Sequence, residues 1–209
     1  MSEPTVFIID DDSSARKGLT RLVSAAGMNV ESFPSAMDFL DSGNTEGPGC
    51  IVLDVKMPQM TGPELQEELA KLEYCMPIIF LSGHGDIRTT AQTMKKGAVD
   101  FLTKPVDKEA LLNAIQESLA KDSENRVQLE EKFSIKERIN KLTLREREVM
   151  TYVITGMLNK QIAAELSISE ETVKIHRGHL MHKLGIVSVA KLVHLCEKVG
   201  ISPAKTRAY

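Results

Sequence analysis

Short strand-like segments, most of them apolar runs, recur through the first half of the chain, each followed by a stretch with helical spacing. Thr5 to Ile9, Asn29 to Phe33, Ile51 to Leu53, Pro77 to Leu81 and Val99 to Thr103 are too short for helices and read as strands. Between them the apolar spacing is helical. Ala15 to Ala26 carries Leu19, Leu22 and Val23 on one face, with Ser13–Ser14 offering an N-cap and Gly27 a stop. Ser35 to Leu40, a helix with Pro63 in its first turn running to about Leu72, a helix from a cap at Asp86 to Lys96, and one opened by Asp107 complete the series. Five strands alternating with five helices predict an α/β unit, a doubly wound parallel sheet covered on both faces.

The pattern changes after residue 107. Leu111, Leu112, Ile115 and Leu119 form an apolar stripe. Lys121 to Lys141 then holds no Gly or Pro and is dense in charge, which predicts a continued, solvated helix rather than a loose tether. Positions 115, 119, 122, 126, 129 and 133 follow a four–three spacing, but Asp122 and Arg126 interrupt the seam. A single exposed helix and a dimerising one both remain open. From residue 141 the pattern is all helical. Thr143 and Glu146 have capping-box spacing before a helix ended by Gly156. Asn159 caps a short helix with Ile162, Ala163 and Leu166, Ser169 caps a third running from Glu170 to Leu184, and Ser188 caps a fourth. The expected organisation is a front domain over 1–121, a helical linker over 122–140 and an all-α four-helix domain over 141–209. The short helix, tight turn and longer helix of that last domain have helix-turn-helix spacing.

Composition adds mainly an asymmetry of charge. Of 209 residues, 42% are apolar and 26% charged, as in ordinary globular proteins. There is no apolar run long enough for a transmembrane helix and no signal-peptide pattern, so a cytoplasmic protein with no membrane partner is expected. Cys50, Cys75 and Cys196 are scattered without a CxxC pair and read as buried free thiols. Residues 1–121 carry 11 basic against 18 acidic side chains, and residues 141–209 carry 11 against 6. The basic tail is suited to a polyanion, with double-stranded DNA the natural candidate. On the third helix Val173, Leu180 and Leu184 share the core face, while Lys174, Ile175 and Gly178 face away with Arg177 beside them.

Candidate chemistry lies at the strand ends. Right-handed crossovers carry the C-terminal ends of parallel strands to one edge, where such sheets bind their ligands. Asp10, Asp11, Asp54, Ser82 and Lys104 all fall there. Clustered carboxylates repel, and a divalent cation offsets that repulsion. An all-oxygen set without Cys or His favours Mg²⁺. Asp54, kept ionised, becomes a nucleophile toward phosphorus, with the Lys104 ammonium and Ser82 hydroxyl stabilising the transferred group. The residues alone leave blander roles open: a turn acid at Asp54, a metal-free salt bridge at Lys104. Asp12 reads as a cap or turn acid.

This constellation resembles the receiver domain of bacterial two-component response regulators, flavodoxin-like in fold, over residues 4–121. The resemblance implies that Asp54 accepts a phosphoryl group from a sensor histidine kinase. It implies Mg²⁺ held by Asp11, Asp54 and the backbone carbonyl of Lys56, with Asp10 acting through water, and Ser82 and Phe101 as switch residues. It also implies self-catalysed phosphotransfer and slow autodephosphorylation rather than an enzyme of other substrates, with Gly83 and His84 near the switch tuning that rate. Thr61 departs from relatives that carry Asp there, and Val106 from those with Phe. Leu142–Val149, Asn159–Ala163 and Thr172–His176 resemble the LuxR-type helix-turn-helix of the NarL/FixJ family. That likeness implies DNA contacts at Lys160, Lys174, Ile175 and Arg177, a homodimer formed on phosphorylation, promoter DNA and RNA polymerase as partners. Gly178 departs from relatives with a basic residue. The competing readings are an interaction adaptor that binds no DNA and an aspartyl-phosphate hydrolase.

Overall fold

A computed structural model describes residues 3–44, 47–72, 76–83 and 87–205. The chain divides into two compact units, Met1–Arg126 and Val127–Tyr209. The first is built from β1 (Thr5–Ile9), α1 (Ser13–Ala25), β2 (Asn29–Phe33), α2 (Ala36–Asp41), β3 (Gly49–Asp54), α3 (Gly62–Leu69), β4 (Ile78–Ser82), α4 (Ile87–Lys95), β5 (Asp100–Thr103) and the front of α5 (Lys108–Asn140). The sheet has the order β2-β1-β3-β4-β5, and every pairing is parallel. The expected five-stranded, doubly wound α/β architecture is borne out.

Side chains alternate across a strand, so each central strand feeds both faces. Phe7 and Ile9 point into one layer with Phe39, Leu53, Leu65 and Phe80. Val6 and Ile8 point into the other with Leu19, Val23, Val52, Leu81, Leu111 and Ile115. All six residues of β3 are buried. That is why the central run is apolar up to its terminal acid and not alternating. Gly49 begins this strand because a Cβ there would stand 2.1 Å from the Thr5 carbonyl oxygen.

Some local expectations are corrected. Asp12, not Ser13–Ser14, caps α1, its carboxylate accepting from the Ser14 N–H at 2.7 Å and the Ala15 N–H at 3.3 Å. The helix after Pro63 ends at Leu69, short of Leu72. Thr61 caps it with a full capping box to Glu64, so the residue that departs from the receiver pattern still serves this local role. The expected cap at Asp86, and Cys75 and His84, lie outside the described residues.

The continuous helix expected beyond residue 121 is present as α5 and is largely exposed, but Asp122 is buried and Arg126 half-buried. Asp122 is 2% exposed; its Oδ2 accepts the Gly49 N–H at 3.1 Å and the Arg126 Nε–H at 2.9 Å. Arg126 in turn donates to the Gly47 carbonyl. The two charged residues that interrupt the heptad seam are thus bonded to the start of β3. The unit boundary falls directly after Arg126, and residues 122–140 do not form a body of their own.

The second unit packs α6 (Leu144–Val153), α7 (Asn159–Leu166), α8 (Glu170–Leu184) and α9 (Val189–Lys198) around Val149, Met150, Val153, Ile162, Val173, Leu180, Leu184 and Leu192. Ile135 and Ile139 from the end of α5 join that core. Thr143 and Glu146 form the expected capping box, and Ser169 and Ser188 cap α8 and α9. Asn159 is the first residue of α7 and not its cap; Leu158 holds that place, its N–H bonded to Gln161 Oε1 at 2.8 Å.

Candidate functional site

Strand register brings the first unit's acids together. Ile9 pairs with Leu53, so Asp10 and Asp54 follow at the same level on adjacent strands. Ser82 pairs with Thr103, so Lys104 leaves β5 beside the end of β4, and its N–H donates to the Ser82 carbonyl at 2.7 Å. The Lys104 ammonium then reaches back to Asp10 Oδ2 at 2.6 Å and Asp54 Oδ1 at 2.5 Å. Asp10 is fully buried and Asp54 nearly so, at 6% exposure. The remaining Asp54 oxygen accepts the Lys56 N–H at 2.8 Å, and the remaining Asp10 oxygen accepts the Asp12 N–H at 2.9 Å. Asp11 is exposed.

Burial raises the Asp54 carboxyl above its ordinary range, against the pull of the Lys104 and Lys56 bonds, and the Asp10 charge adds to the rise. Burial works against charge at Lys104 too, but its bonds to Asp10 and Asp54 prevail and the ammonium holds its proton more firmly than usual. A single fixed cation thus lies between two desolvated acids. The oxygen-only donor set fits a hard divalent cation in its chemistry: two buried carboxylates, a third exposed on the same loop, and main-chain carbonyls. Among the described residues no three His, Cys, Asp or Glu side chains are already grouped to hold one.

The surroundings are tightly packed. Gly62 donates its N–H to the Val55 carbonyl at 3.1 Å, and a Cβ on it would stand 2.3 Å from the Asp54 carbonyl oxygen and 3.0 Å from the Phe80 ring. Ser82 is buried; Phe101 is half-buried, its ring centroid 6.3 Å from that of Phe80. Gly83 is exposed, with open space around its Cβ position. Arg16, in the second turn of α1, donates through Nη1 to the Asp10 carbonyl at 2.6 Å and the Asp11 carbonyl at 3.4 Å.

In the second unit, α7 ends at Ser167, which takes a left-handed φ of 54°, and Ser169 starts α8. Val173, Leu180 and Leu184 are wholly buried, while Lys174, Ile175 and Gly178 are exposed. Ile175 is an apolar side chain 49% open to solvent in the N-terminal half of α8, where a recognition helix reads base edges. Lys160 is exposed at the start of α7. Arg177 is half-buried and donates to Asn159 Oδ1 at 2.9 Å, tying α8 to α7.

Comparison with known proteins agrees with both halves. Residues 6–116 match the response regulator receiver domain, and residues 140–196 match the bacterial regulatory proteins of the luxR family. Nodulation protein W of Bradyrhizobium diazoefficiens is 43% identical over 96% of this chain and 88% of its own length. The response regulator protein TodT of Pseudomonas putida is 43% identical over 93% of this chain and 86% of its own. The chain belongs to the response regulators. Its DNA-binding domain is of the LuxR type. Among solved structures, the response regulator StyR shares 47% identity over 94% of this chain and all of its own, with a TM-score of 0.76. Full-length FixJ from B. japonicum shares 34% over 96% of this chain and 99% of its own, with a TM-score of 0.58. The homologues are transcriptional regulators of two-component systems, and among this response regulator's described residues no helix is long and apolar enough to cross a membrane.

The structure brings together Asp10, Asp54 and Lys104, with Ser82 and Lys56 joined by main-chain bonds and Asp11 next in the loop. Lys174 and Ile175 share an open surface; Arg177 is partly engaged within the response regulator itself. Sequence reasoning missed four residues. Arg16 and Gly62 act on the acids' main chain, and Asp122 anchors α5. Glu146, beyond capping α6, is 3% exposed and accepts from Lys183 of α8 at 2.7 Å. Two signals were present in the sequence: the capping-box spacing at Glu146 and the break in the four–three seam at Asp122.

Proposed function

We propose that Asp54 accepts a phosphoryl group from a sensor histidine kinase and that this switches a cytoplasmic transcription factor. The observation that carries the reading is the Lys104 ammonium shared between buried Asp10 and Asp54. An Asp54 oxygen attacks phosphorus, the bond to the donor imidazole breaks, and the phosphoryl oxygens gather charge beside Lys104 and the Ser82 hydroxyl. Asp10, Asp11, Asp54 and the Lys56 carbonyl would hold Mg²⁺, which supplies charge neutralisation for the incoming oxygens. Ser82 and Phe101 are positioned to carry the change outward as a shift between two surface states. The receiver itself acts on no other substrate: it catalyses its own modification and its slow hydrolysis. Phosphorylation promotes a homodimer, and paired α8 helices enter successive major grooves of promoter DNA, with Lys160 on phosphate and Lys174, Ile175 and Arg177 at the groove. RNA polymerase is the partner of the bound dimer.

Sedimentation velocity tests this reading, with wild type and Asp54→Asn in Mg²⁺, with and without beryllofluoride. A shift from monomer to dimer in wild type alone supports it; no shift in either overturns the dimer switch. Binding to promoter duplex should weaken steeply with salt, as counterion release requires. No binding at low salt would instead favour an adaptor.

A further inference from the structure

We propose that Arg16 is a positioning residue of the phosphoacceptor site, holding the Asp10–Asp11 main chain so that both carboxylates are set for a divalent cation. The inference rests on the reading of that pocket given above. Asp10 and Asp11 lie past the end of β1 and before the first residue of α1, in a link that the sheet holds only through the Asp10 N–H. Asp10 is held through its own atoms: its N–H on the Phe33 carbonyl at 3.3 Å, Oδ1 on the Asp12 N–H, Oδ2 on Lys104. Asp11 is exposed, and the bond from Arg16 to its carbonyl is the long one.

Three carboxylates lie in this loop, yet Arg16 pairs with none of them among the described residues. It donates to two consecutive carbonyls instead. With both approached by one guanidinium nitrogen, the intervening peptide is restrained, and with it the main-chain positions from which the Asp10 and Asp11 side chains depart. Arg16 thus occupies no carboxylate oxygen of Asp10 or Asp11, while its positive charge sits behind them. Lysine would keep that charge but not the planar, rigid donor array. Partners that orient metal ligands commonly cost 10–100-fold in metal affinity when removed.

The test uses the full chain. Mg²⁺ binding is measured by titration calorimetry without phosphodonor, and the rate of Asp54 phosphorylation by acetyl phosphate is followed across Mg²⁺ concentration. Arg16→Ala is expected to bind Mg²⁺ about tenfold more weakly, with the midpoint of the Mg²⁺ dependence rising by the same factor and the rate at saturating Mg²⁺ close to that of wild type. Arg16→Lys should recover only part of the affinity. Should Arg16→Ala fail to fold, Arg16→Gln and Arg16→Lys carry the comparison. Wild-type Mg²⁺ affinity in these variants overturns the assignment while leaving the pocket's reading intact. A wild-type chain that binds no Mg²⁺ and takes up no phosphoryl group overturns both.

Discussion

The Lys104 ammonium lies 2.5 Å from the Asp54 carboxylate and holds Asp10 with the same nitrogen at 2.6 Å. Among the described residues it is therefore the nearest fixed positive charge to any phosphoryl group on Asp54. Lys104→Ala should slow phosphorylation by acetyl phosphate about 100-fold, the loss typical when one charge-stabilising donor is removed. Phosphate-affinity electrophoresis over time measures this. A rate within about threefold of wild type would place Lys104 outside the chemistry.

Gly62 makes a separate prediction about the floor of the site. A methyl group there collides with the Asp54 carbonyl oxygen, which belongs to a buried strand and cannot retreat. Gly62→Ala should destabilise the first unit by about 3 kcal/mol, the upper range for overpacking. Gly18, exposed within α1 with open space around its Cβ position, is the control. Gly18→Ala should stabilise by about 0.5–1 kcal/mol because it removes backbone freedom from the unfolded chain. Urea unfolding of the two variants should move in opposite directions.

Asp122 links the far end of the receiver to its last helix. Its carboxylate accepts the buried Gly49 N–H, so Asp122→Ala leaves that donor without this acceptor and also removes the acceptor of the Arg126 Nε–H. The expected loss is about 2–3 kcal/mol. Hydrogen exchange should show faster exchange at the Gly49 amide and along α5 from residue 118 onward. Unchanged protection there would show that packing alone secures this part of the helix.

Glu146 makes the second unit sensitive to acid. Burial pushes its carboxyl up, but the Lys183 bond and the Thr143 N–H outweigh it, and the folded pKa lies below the ordinary 4.5. A lowered acid contributes stability above its unfolded pKa and loses it as pH falls through its folded pKa. The second unit should therefore weaken from about pH 4.5 downward, and Glu146→Gln should flatten that dependence. At neutral pH Glu146→Ala should cost about 2–3 kcal/mol, less than a fully buried pair because Lys183 still reaches water. Amide NMR of α6–α9 across a pH series reads both effects.

The sheet was legible because its three central strands, β1, β3 and β4, are near-continuous apolar runs and a parallel sheet has few topologies. Asp10, Asp54 and Lys104 were legible for the same reason: topology alone brings strand ends to one edge. The α8 face was legible from period 3.6, since Val173, Leu180 and Leu184 can only share one side. What could not be read depends on partners far along the chain. Asp122 looks like a surface acid until Gly49, 73 residues earlier, is beside it. Glu146 meets Lys183 across 37 residues. Arg16 is close in sequence to its carbonyls, but nothing in the spacing says that it turns toward main chain and not toward an acid. The cap of α1 moved because the Asp12 carboxylate takes the Ser14 and Ala15 N–H groups ahead of the serines; that of α7 moved because the Asn159 side chain accepts from Arg177 and not from its own helix.

The free thiols at Cys50 and Cys196 are shut inside the two cores, one in β3 four residues before Asp54, the other in α9. Burial pushes the first up to about 12 and the second to about 11, so neither offers a thiolate near neutral pH while its surroundings are closed. An alkylating reagent would meet each sulfur only when its own half of the molecule opens. These two cysteines are therefore separate clocks, one timing the breathing of the sheet beneath Asp54, the other that of the helices of the LuxR-type domain.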